Sequence, residues 1–375
     1  MLYELILVFL GHIKVIWDKM GQIKKLKKLP PERKKLETVK ILRQLSKTAQ
    51  SLGELKGIAK TIPNQAILIN AVVLQEAKDS SEIENIITTQ DELYKALASK
   101  RKQPLQVKEV INYRKAIFTG FELIKQQGFL RIKDIETIQK TIVENNAGIR
   151  AMPGTVLKND QTGEIVYTPP QEKDEILDLL NNFLEHFNIN QTDLHPLITL
   201  AILHYQFESI HPFYDGNGRT GRILNILYLI INDLLDIPIL YLSSYINETK
   251  SNYYKYLNQV NKTDQWEDYI LYMLKAVEKT ANNTIEKINK IKNQLDVTIE
   301  KVKEAAPKVY RKELVELLFE QPYSKIEFVV DKLKVERKAA SRYLKSLENI
   351  GVLKSEKLGR EILFLNTELV EILKH

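Results

Sequence analysis

A polar, glycine-rich segment at residues 211–222 holds the residue types best suited to chemistry. It joins two strongly apolar segments, residues 194–209 and 223–231, each with the pattern of a buried helix. Gly216 and Gly218 allow the backbone to turn so that successive N–H groups point into one concavity. The helix that follows adds the positive end of its dipole, so the segment predicts a cradle for phosphate groups.

Four charged or titratable side chains in this segment would complete such a site. Arg219 and Arg222 stand three residues apart on one helical face, where they can hold the outer phosphates of a nucleotide. Asp215 can hold Mg²⁺, which favours one or two carboxylates together with phosphate oxygens. His211 begins the segment and lies close enough to act as a general base on an incoming hydroxyl group. Each residue type has an ordinary structural use when taken singly; their joint spacing is what indicates a site.

Residues 211–222 resemble the signature of the Fic family, H-P-F-x-D/E-G-N-G-R-x-x-R, at every fixed position. Fic proteins have a helical core, and most of them transfer AMP from ATP to a Ser, Thr or Tyr hydroxyl group of a target protein. The resemblance implies ATP and magnesium (Mg2+) as cofactors, His211 as the base and Asp215 as the metal ligand. It also implies nucleotide binding by a run of consecutive residues: Gly216, Asn217, Gly218, Arg219, Thr220, Gly221 and Arg222.

Residues 80–85, Ser-Ser-Glu-Ile-Glu-Asn, fit the pattern S/T-x-x-x-E-G/N that marks an inhibitory helix in many Fic proteins. The resemblance implies that Glu84 pairs with Arg222, the second arginine of the signature. Such a pair would take Arg222 from the γ-phosphate and place a carboxylate where phosphate oxygens belong. The alternative is a surface glutamate at a helix end; the family resemblance favours an inhibited enzyme.

A tyrosine-rich segment after the signature is similar to the region that packs around adenine in Fic proteins. We predict that Tyr253 binds adenine, with Tyr254 and Asn258 behind it. Tyrosines at this spacing are equally ordinary helix-packing residues. His204, two helical turns before His211, is interpreted as a core or supporting residue, because no third ligand accompanies it to hold a metal.

Helical periodicity dominates the elements that must position these residues, so the predicted fold class is mainly α. This agrees with the helical Fic core that the resemblance implies. Residues 155–157 and 165–167 flank a turn-rich stretch and predict a short β-hairpin, similar to the flap that aligns a target segment in Fic proteins. Helices are predicted at residues 36–58, 65–77, 107–127, 132–145, 174–187, 194–209, 219–235, 248–261 and 265–300.

The tail predicts a separate unit, a C-terminal winged helix-turn-helix. Three short helices and a small hairpin follow in order, at residues 310–319, 325–333, 336–349 and 352–365. The position of a DNA-recognition helix carries four basic residues, Arg337, Lys338, Arg342 and Lys345. Residues 309–375 contain 13 basic and 11 acidic side chains, only +2, and winged helices also dock proteins, so DNA and protein partners both stay open.

The composition is typical of a folded globular protein. Of its residues, 44% are hydrophobic and 27% are charged. The length of 375 residues is enough for two or three domains. The absence of cysteine excludes disulfides, thiolate chemistry and iron–sulfur ligation, and it fits a reducing cytoplasm. The longest apolar run near the N-terminus, residues 5–10, is far shorter than the roughly 20 residues of a membrane span, so no membrane partner is expected.

The net charge of +7 comes from one N-terminal segment. Residues 14–43 hold eleven basic and three acidic side chains, so they contribute +8 and the rest of the chain −1. A solvated leader explains this charge better than a nucleic-acid arm does. Because Met20 opens a more ordinary leader, residues 1–19 are interpreted as an over-extended start.

These observations predict four regions: a leader at residues 1–29, an N-terminal helical region with the inhibitory motif at 30–105, a Fic catalytic core at 106–300 and a winged-helix domain at 307–375. The predicted function is transfer of AMP to a hydroxyl group of a target protein or of the chain itself, with a homodimer left open. Two alternatives remain: a DNA-binding regulator whose Fic core senses nucleotide, and a Fic enzyme with another transfer or a de-AMPylation activity. The intact His211 argues against a pure sensor, since sensing needs no base.

Overall fold

The computed structural model describes residues 25–99, 102–158, 162–189 and 193–374. The start interpreted as over-extended, most of the predicted leader and the turn at residues 159–161 lie outside these ranges. Within them the chain is mainly helical with two small antiparallel sheets, which confirms the predicted fold class. None of the helices described is long and apolar enough to cross a membrane.

The larger part of the chain is built from long helices and one hairpin. The helices before the hairpin are α1 (Val39–Ala59), α2 (Gln65–Ile83), α3 (Gln90–Ala98), α4 (Leu105–Gln127) and α5 (Ile132–Val143). The hairpin strands are β1 (Leu157–Lys158) and β2 (Ile165–Tyr167). The helices after the hairpin are α6 (Lys173–Asn188), α7 (Pro196–Ile210), α8 (Asn217–Ile231), α9 (Leu242–Glu248), α10 (Lys250–Thr263) and α11 (Glu267–Ala305).

Helices α7 and α8 pack against each other and carry the glycine-rich segment between them. Helix α7 is apolar on all sides and buried along nearly its whole length, as expected for a central helix. Its start is fixed by Pro196 in the first turn and by the side chain of His195, which accepts a hydrogen bond from the backbone nitrogen of Leu197 at 3.1 Å. Its end is fixed by His211, whose left-handed φ of 49° stops the helix.

The predicted hairpin is present and lies against the end of α7. Leu157 pairs with Tyr167 and Lys158 with Ile165 in an antiparallel register. The hydroxyl group of Tyr167 donates a hydrogen bond to the carbonyl oxygen of Ser209 at 3.0 Å. This bond fixes the hairpin close to the point where the glycine-rich segment begins.

The tail forms a unit of helices and a small sheet: α12 (Lys312–Glu320), β3 (Tyr323–Ser324), α13 (Ile326–Leu333), α14 (Arg337–Asn349), β4 (Lys354–Leu358), β5 (Glu361–Leu365) and α15 (Thr367–Lys374). The sheet has the strand order β3-β5-β4. The three predicted helices and the hairpin are confirmed, whereas β3 and α15 are not predicted from the sequence. The ring of Tyr323 stacks on that of Tyr94 in α3, with centroids 5.4 Å apart, so the tail packs directly on the N-terminal helices.

Helix α11 connects the larger part to the tail. It has 39 residues, about 58 Å at 1.5 Å per residue, and packs on α1 and α7 before it reaches α12 and α15. It ends at Ala305, two residues before Pro307, which cannot continue a helix. The predicted long helix is therefore confirmed and extends beyond residue 300.

Candidate active site

The glycine-rich segment forms a tight loop that carries the chain from α7 into α8. The side chain of Asn217 closes this loop: its Oδ1 accepts from the backbone nitrogen of Phe213 at 2.8 Å, and its Nδ2 donates to the Phe213 carbonyl oxygen at 2.8 Å. Gly216 precedes α8 with a φ of +80°, a conformation that favours glycine. The free N–H groups of the first turn of α8 therefore belong to the same loop as His211.

Two glycines permit close contact over this loop. A methyl group at the Cα of Gly218 would stand 2.7 Å from Oε1 of Glu84 and 3.0 Å from Nη1 of Arg222. At Gly216 a methyl group would stand 2.9 Å from Cγ1 of Val143. The carboxylate of Glu84 thus lies over the first turn of α8, where an anion would bind.

Glu84 and Arg222 form the central ion pair of the site. Nη2 of Arg222 lies 2.8 Å from Oε1 of Glu84, and it donates to the carbonyl oxygen of Ser80 at 2.9 Å. Nε of Arg222 donates to the Ser80 hydroxyl group at 2.7 Å. Helix α2, predicted to end at residue 77, runs to Ile83, so Glu84 is its C-terminal cap. The contact expected from the inhibitory motif is therefore present, and its effect on activity stays a prediction.

The two charges of this pair stabilise each other. Burial acts to raise the pKa of Glu84, but the charge and hydrogen bond of Arg222, assisted by Arg219 and Lys250, lower the pKa below its ordinary value. Glu84 in turn raises the pKa of Arg222 against the effect of burial. Both side chains are therefore charged near neutral pH, and the pair stays intact there.

The first arginine of the signature is held by two carboxylates. Nη1 of Arg219 lies 3.1 Å from Oε2 of Glu109, and Nη2 lies 3.4 Å from Oδ1 of Asp215. The side chain of Asp215 is 65% exposed. Among the described residues no group of three or more potential metal ligands occurs. One exposed carboxylate beside a phosphate cradle nevertheless fits magnesium, which takes water and phosphate oxygens as its remaining ligands.

His211 lies half-buried at the end of α7. Burial lowers the pKa of its imidazole to about 4, and the nearby charge of Arg150 adds to this effect, against weaker opposing effects of the Glu208 backbone and of Glu84. The ring is therefore neutral near pH 7. A neutral imidazole can accept a proton, as a general base must.

Three segments of the sequence match domains of known protein families. Residues 129–229 match the Fic/DOC family, and residues 42–122 match the Fic/DOC family N-terminal domain. The chain carries the domains of the Fic/DOC family. Residues 295–369, which include most of the tail, match the C-terminal domain described as protein adenylyltransferase SoFic-like.

Two curated relatives named protein adenylyltransferase Fic illustrate the similarity. The protein from Nematostella vectensis is 27% identical over 184 residues, and the one from Aedes aegypti is 28% identical over 164 residues. These segments cover 48% and 43% of this chain, but only 40% and 30% of the relatives. The chain thus matches less than half the length of either relative.

Solved structures of Fic proteins share the fold. A Fic family protein from Desulfovibrio desulfuricans G20 superposes with a TM-score of 0.56 at 18% identity, covering 88% of this chain and 96% of that chain. A Fic domain containing signaling protein from Bacteroides thetaiotaomicron superposes with a TM-score of 0.51 at 19% identity, covering 66% and 97%.

The tyrosines assigned to adenine in this Fic/DOC protein have unequal surroundings. Tyr253 is 2% exposed, and its hydroxyl group lies 2.8 Å from Nε2 of His204, whereas Tyr254 is 45% exposed and packs edge-on against the Tyr253 ring. Nδ2 of Asn225 lies 3.1 Å from Nδ1 of His204. Burial lowers the pKa of His204 to about 3. A neutral His204 that accepts at Nδ1 donates from Nε2 to Tyr253, which agrees with a supporting role for His204.

The remaining signature residues lie in the first turns of α8. Thr220 is buried, and its backbone nitrogen donates to the carbonyl oxygen of Gly216 at 2.9 Å. Gly221 has no room for a side chain, because a methyl group there would collide with the carboxyl group of Glu208. Their part in nucleotide binding stays a prediction.

Two charged residues of the Fic/DOC site are not predicted from the sequence. Burial raises the pKa of Glu208 to about 7, while Arg222 acts to lower it, so this carboxyl group lies within the field of the central ion pair. Its position three residues before His211, on the same helical turn, was an available signal. The second residue, Arg150, bonds to the carbonyl oxygen of His211, and no sequence pattern links the two.

Proposed function

We propose that this protein is an adenylyltransferase that transfers AMP from ATP to a hydroxyl group of a protein. The observation that carries the proposal is the anion cradle at the start of α8, with Arg219 and Arg222 in it and a neutral His211 at the other end of the same loop. Phosphate binding alone would need no base. The names of the Fic relatives support the same reaction.

The chemistry assigns each group one task. The target oxygen attacks the α-phosphorus, the bond from that phosphorus to the bridging oxygen breaks, and pyrophosphate leaves while His211 takes the hydroxyl proton. The N–H groups of the first turn of α8 and the two arginines face the phosphate oxygens on which charge develops. Magnesium held by Asp215, when bound, would neutralise part of the phosphate charge.

The same geometry describes an inhibited state. Glu84 occupies the space above Gly218 and engages Arg222, the side chain proposed to hold the γ-phosphate. A bound nucleotide would meet a carboxylate at that place, and like charges repel. We therefore propose that Glu84 must leave before ATP can adopt a reactive pose.

The hairpin β1–β2 suits the alignment of a target segment. It has only two strands, and Tyr167 fixes it beside the end of α7, close to His211. A segment added along such an edge forms main-chain hydrogen bonds that do not depend on its side chains. The target in this proposal is another protein or a second copy of this chain.

Mass spectrometry tests the proposal directly. The Glu84→Gly protein is incubated with ATP and magnesium, alone and with a cell extract, and modified hydroxyl side chains are identified by their added mass. AMP on Ser, Thr or Tyr supports the proposal. A phosphoryl group, another nucleotide, or net loss of AMP from a modified protein would instead assign one of the other Fic activities.

We also propose that the tail binds duplex DNA, because its unpaired positive charges lie on one surface. Lys338, Arg342 and Lys345 are exposed at positions i, i+4 and i+7 of α14, on the face opposite its buried residues. They span about 10 Å along the helix, which fits a major groove about 12 Å wide. Lys357 and Arg360 are exposed on the hairpin that follows.

The net charge of the tail, only +2, understates the positive charge of this surface, because nearby acidic groups are paired with other cations. Three nearby acidic groups are engaged by cations: Glu327 by Arg337 at 2.5 Å, Glu356 by Lys95 at 2.7 Å, and Glu361 by Lys325 at 3.5 Å. None of the five exposed cations named above forms a salt bridge with an acidic group among the described residues. The surface is therefore more positive than the tail as a whole.

Fluorescence anisotropy of a labelled duplex with the full-length chain tests this second proposal. Binding should weaken with added salt, and the double variant Lys338→Glu, Arg342→Glu should bind much more weakly with a slope reduced by about two. The variant Lys125→Glu, Lys133→Glu makes the same change of charge outside the tail and should bind as the wild type does. Absence of binding at low salt, or equal losses in both variants, would exclude the tail as a DNA-binding surface.

A further inference from the structure

Arg150 is a buried arginine that has no acidic partner within the described residues. Its side chain is 0% exposed, and burial lowers its pKa. Burial of a guanidinium group without a carboxylate partner costs free energy, so other interactions of this side chain must offset that cost. It lies between α5 and β1, outside both the signature and the inhibitory motif.

The guanidinium group donates to carbonyl oxygens of two separate segments. Nε donates to His211 at 2.7 Å, and Nη2 donates to Ile210 at 3.2 Å. Nη2 also donates to the carbonyl oxygen of Pro170, just after the β1–β2 hairpin. One side chain therefore joins the end of α7 to the segment that leaves the hairpin.

The backbone around Arg150 reinforces this connection. Its own nitrogen donates to the carbonyl oxygen of Pro212 at 2.9 Å, and Ile149 forms a β-bridge with Phe213. The hydroxyl group of Tyr214 accepts from the backbone nitrogens of the next two residues at 3.0 and 3.2 Å. The start of the glycine-rich loop is thus held along its length by residues 149–152.

His211 needs such support because of its conformation. Its φ of 49° is left-handed, a region that residues with a side chain adopt infrequently. The last carbonyl groups of α7 lack partners in the helix, and a cation at a helix C-terminus is favourable. Arg150 satisfies two of these carbonyl groups and so fixes the backbone from which the imidazole projects.

We propose that Arg150 is a positioning residue that sets both the His211 imidazole and the hairpin relative to the phosphate cradle. The inference rests on the proposed function only for the role of His211 as base. The bonds to His211 and to Pro170 mean that the base and the segment that aligns the target are fixed by one group. Removal of Arg150 should therefore disturb both together.

Amide hydrogen exchange on the full-length chain tests the positioning without any need for activity. In Arg150→Met, residues 162–171 and 210–214 should exchange at least about tenfold faster, while the middle of α11 keeps its protection. Exchange in Arg150→Lys should be intermediate between the wild type and Arg150→Met, because an ammonium group cannot reach all three carbonyl oxygens in one plane. The control is Arg114→Met, which removes a partly buried arginine elsewhere in the fold and should leave exchange in both segments unchanged.

Kinetics in the Glu84→Gly background test the consequence for the reaction. Arg150→Met should lower kcat on the order of 10²-fold, as a small misplacement of a catalytic group does, while the Kd for ATP changes less than about twofold. The acidic limb of its pH profile should move to higher pH, because a positive charge that lowers the pKa of His211 is gone. Of the two groups that raise this pKa, the carboxylate of Glu84 is absent from both proteins compared and the backbone of Glu208 is present in both. Arg150→Lys should keep the limb in place.

The outcomes separate the two proposals. Unchanged exchange in both segments of Arg150→Met, or an unchanged kcat with faster exchange, overturns the positioning role. Equal loss of protection in α11 also overturns it, because the residue would then support the fold in general. If Arg150→Met speeds exchange in the two segments but the Glu84→Gly protein transfers no AMP, the proposed function is rejected while the positioning of His211 stands.

Discussion

Arg222 and Glu84 are 138 positions apart in the chain, and their side chains meet at 2.8 Å directly over Gly218. The glutamate caps the C-terminal end of α2, and the arginine lies in the second turn of α8. The contact places a carboxylate on the cradle that would receive phosphate. Activity should therefore depend on where this one side chain lies.

Replacement of Glu84 should raise AMP transfer. In Glu84→Gly, Arg222 loses its carboxylate partner and becomes free to hold a phosphate group. Loss of one such donor typically costs 10²–10³-fold in rate, so its recovery should raise the initial rate on the order of 10²-fold. The measurement is incorporation of AMP into protein over time at saturating ATP.

Glu82→Gly is the matched control for this variant. Glu82 lies two residues earlier, and its side chain is 43% exposed and pairs with Lys78 at the surface. Glu82→Gly places its glycine inside the last turn of α2, where glycine weakens a helix more than it does at the cap, so this control tests loosening of the helix end at least as strongly. Equal rates in both variants would attribute the effect to the helix end and would remove Glu84 as the inhibitory group.

The site was largely predictable because its chemistry is local in the sequence. His211 to Arg222 span one loop and the first two turns of α8, and their spacing alone indicates phosphate binding. The pair of Glu84 with Arg222 required a family resemblance, because periodicity does not reveal contacts between distant segments. The bonds from Arg150 to the loop were not predictable, since a single arginine in an irregular segment follows no period.

Short elements limited the prediction of the fold. Helix α3 has only nine residues, and its sole clear signal is the capping box of Thr89 and Glu92, in which each residue bonds to the backbone of the other. Strand β3 has two residues and exists only because it pairs with β5. Such elements are specified by their neighbours in space, and the chain alone gives little sign of them.

Alanine at Gly218 should block nucleotide binding. The new methyl group would stand 2.7 Å from the point that Oε1 of Glu84 now occupies, which is also the proposed place of phosphate oxygens. In the Glu84→Gly background, Gly218→Ala should weaken ATP binding about tenfold or more, as expected for overpacking of about 1–3 kcal/mol. Isothermal titration calorimetry measures the effect.

Gly57→Ala provides the comparison, because no atom lies within 4 Å of its added methyl group in α1. It should leave ATP binding unchanged and stabilise the helix by about 0.5–1 kcal/mol. If Gly218→Ala also binds ATP with unchanged affinity, phosphate does not bind above the first turn of α8.

Glu76 should make the stability of the fold depend on pH. Burial raises the pKa of this carboxyl group to about 7, although bonds from Ser243 act to lower it. Between the unfolded pKa of about 4.3 and this value, the folded chain holds a proton that the unfolded chain has lost. The resulting stabilisation is complete below that unfolded pKa and is lost as the pH rises through 7.

Glu76→Gln removes this titration while it keeps an acceptor for Ser243 and Tyr113. From pH 5 to pH 8, the wild type should lose on the order of 1–3 kcal/mol of unfolding free energy relative to the variant. Urea denaturation at a series of pH values gives the two curves. Parallel curves would show that Glu76 does not titrate in this range.

The most direct measurement of the central claim uses ATP labelled at either the α- or the γ-phosphate. The wild type, Glu84→Gly and the double variant Glu84→Gly, His211→Ala are incubated with each form, and label bound to protein is counted. We predict α-label on protein with Glu84→Gly, little with the wild type, and none with the double variant, and no γ-label in any case. Protein-bound γ-label, or α-label that persists without His211, would contradict AMP transfer by this site.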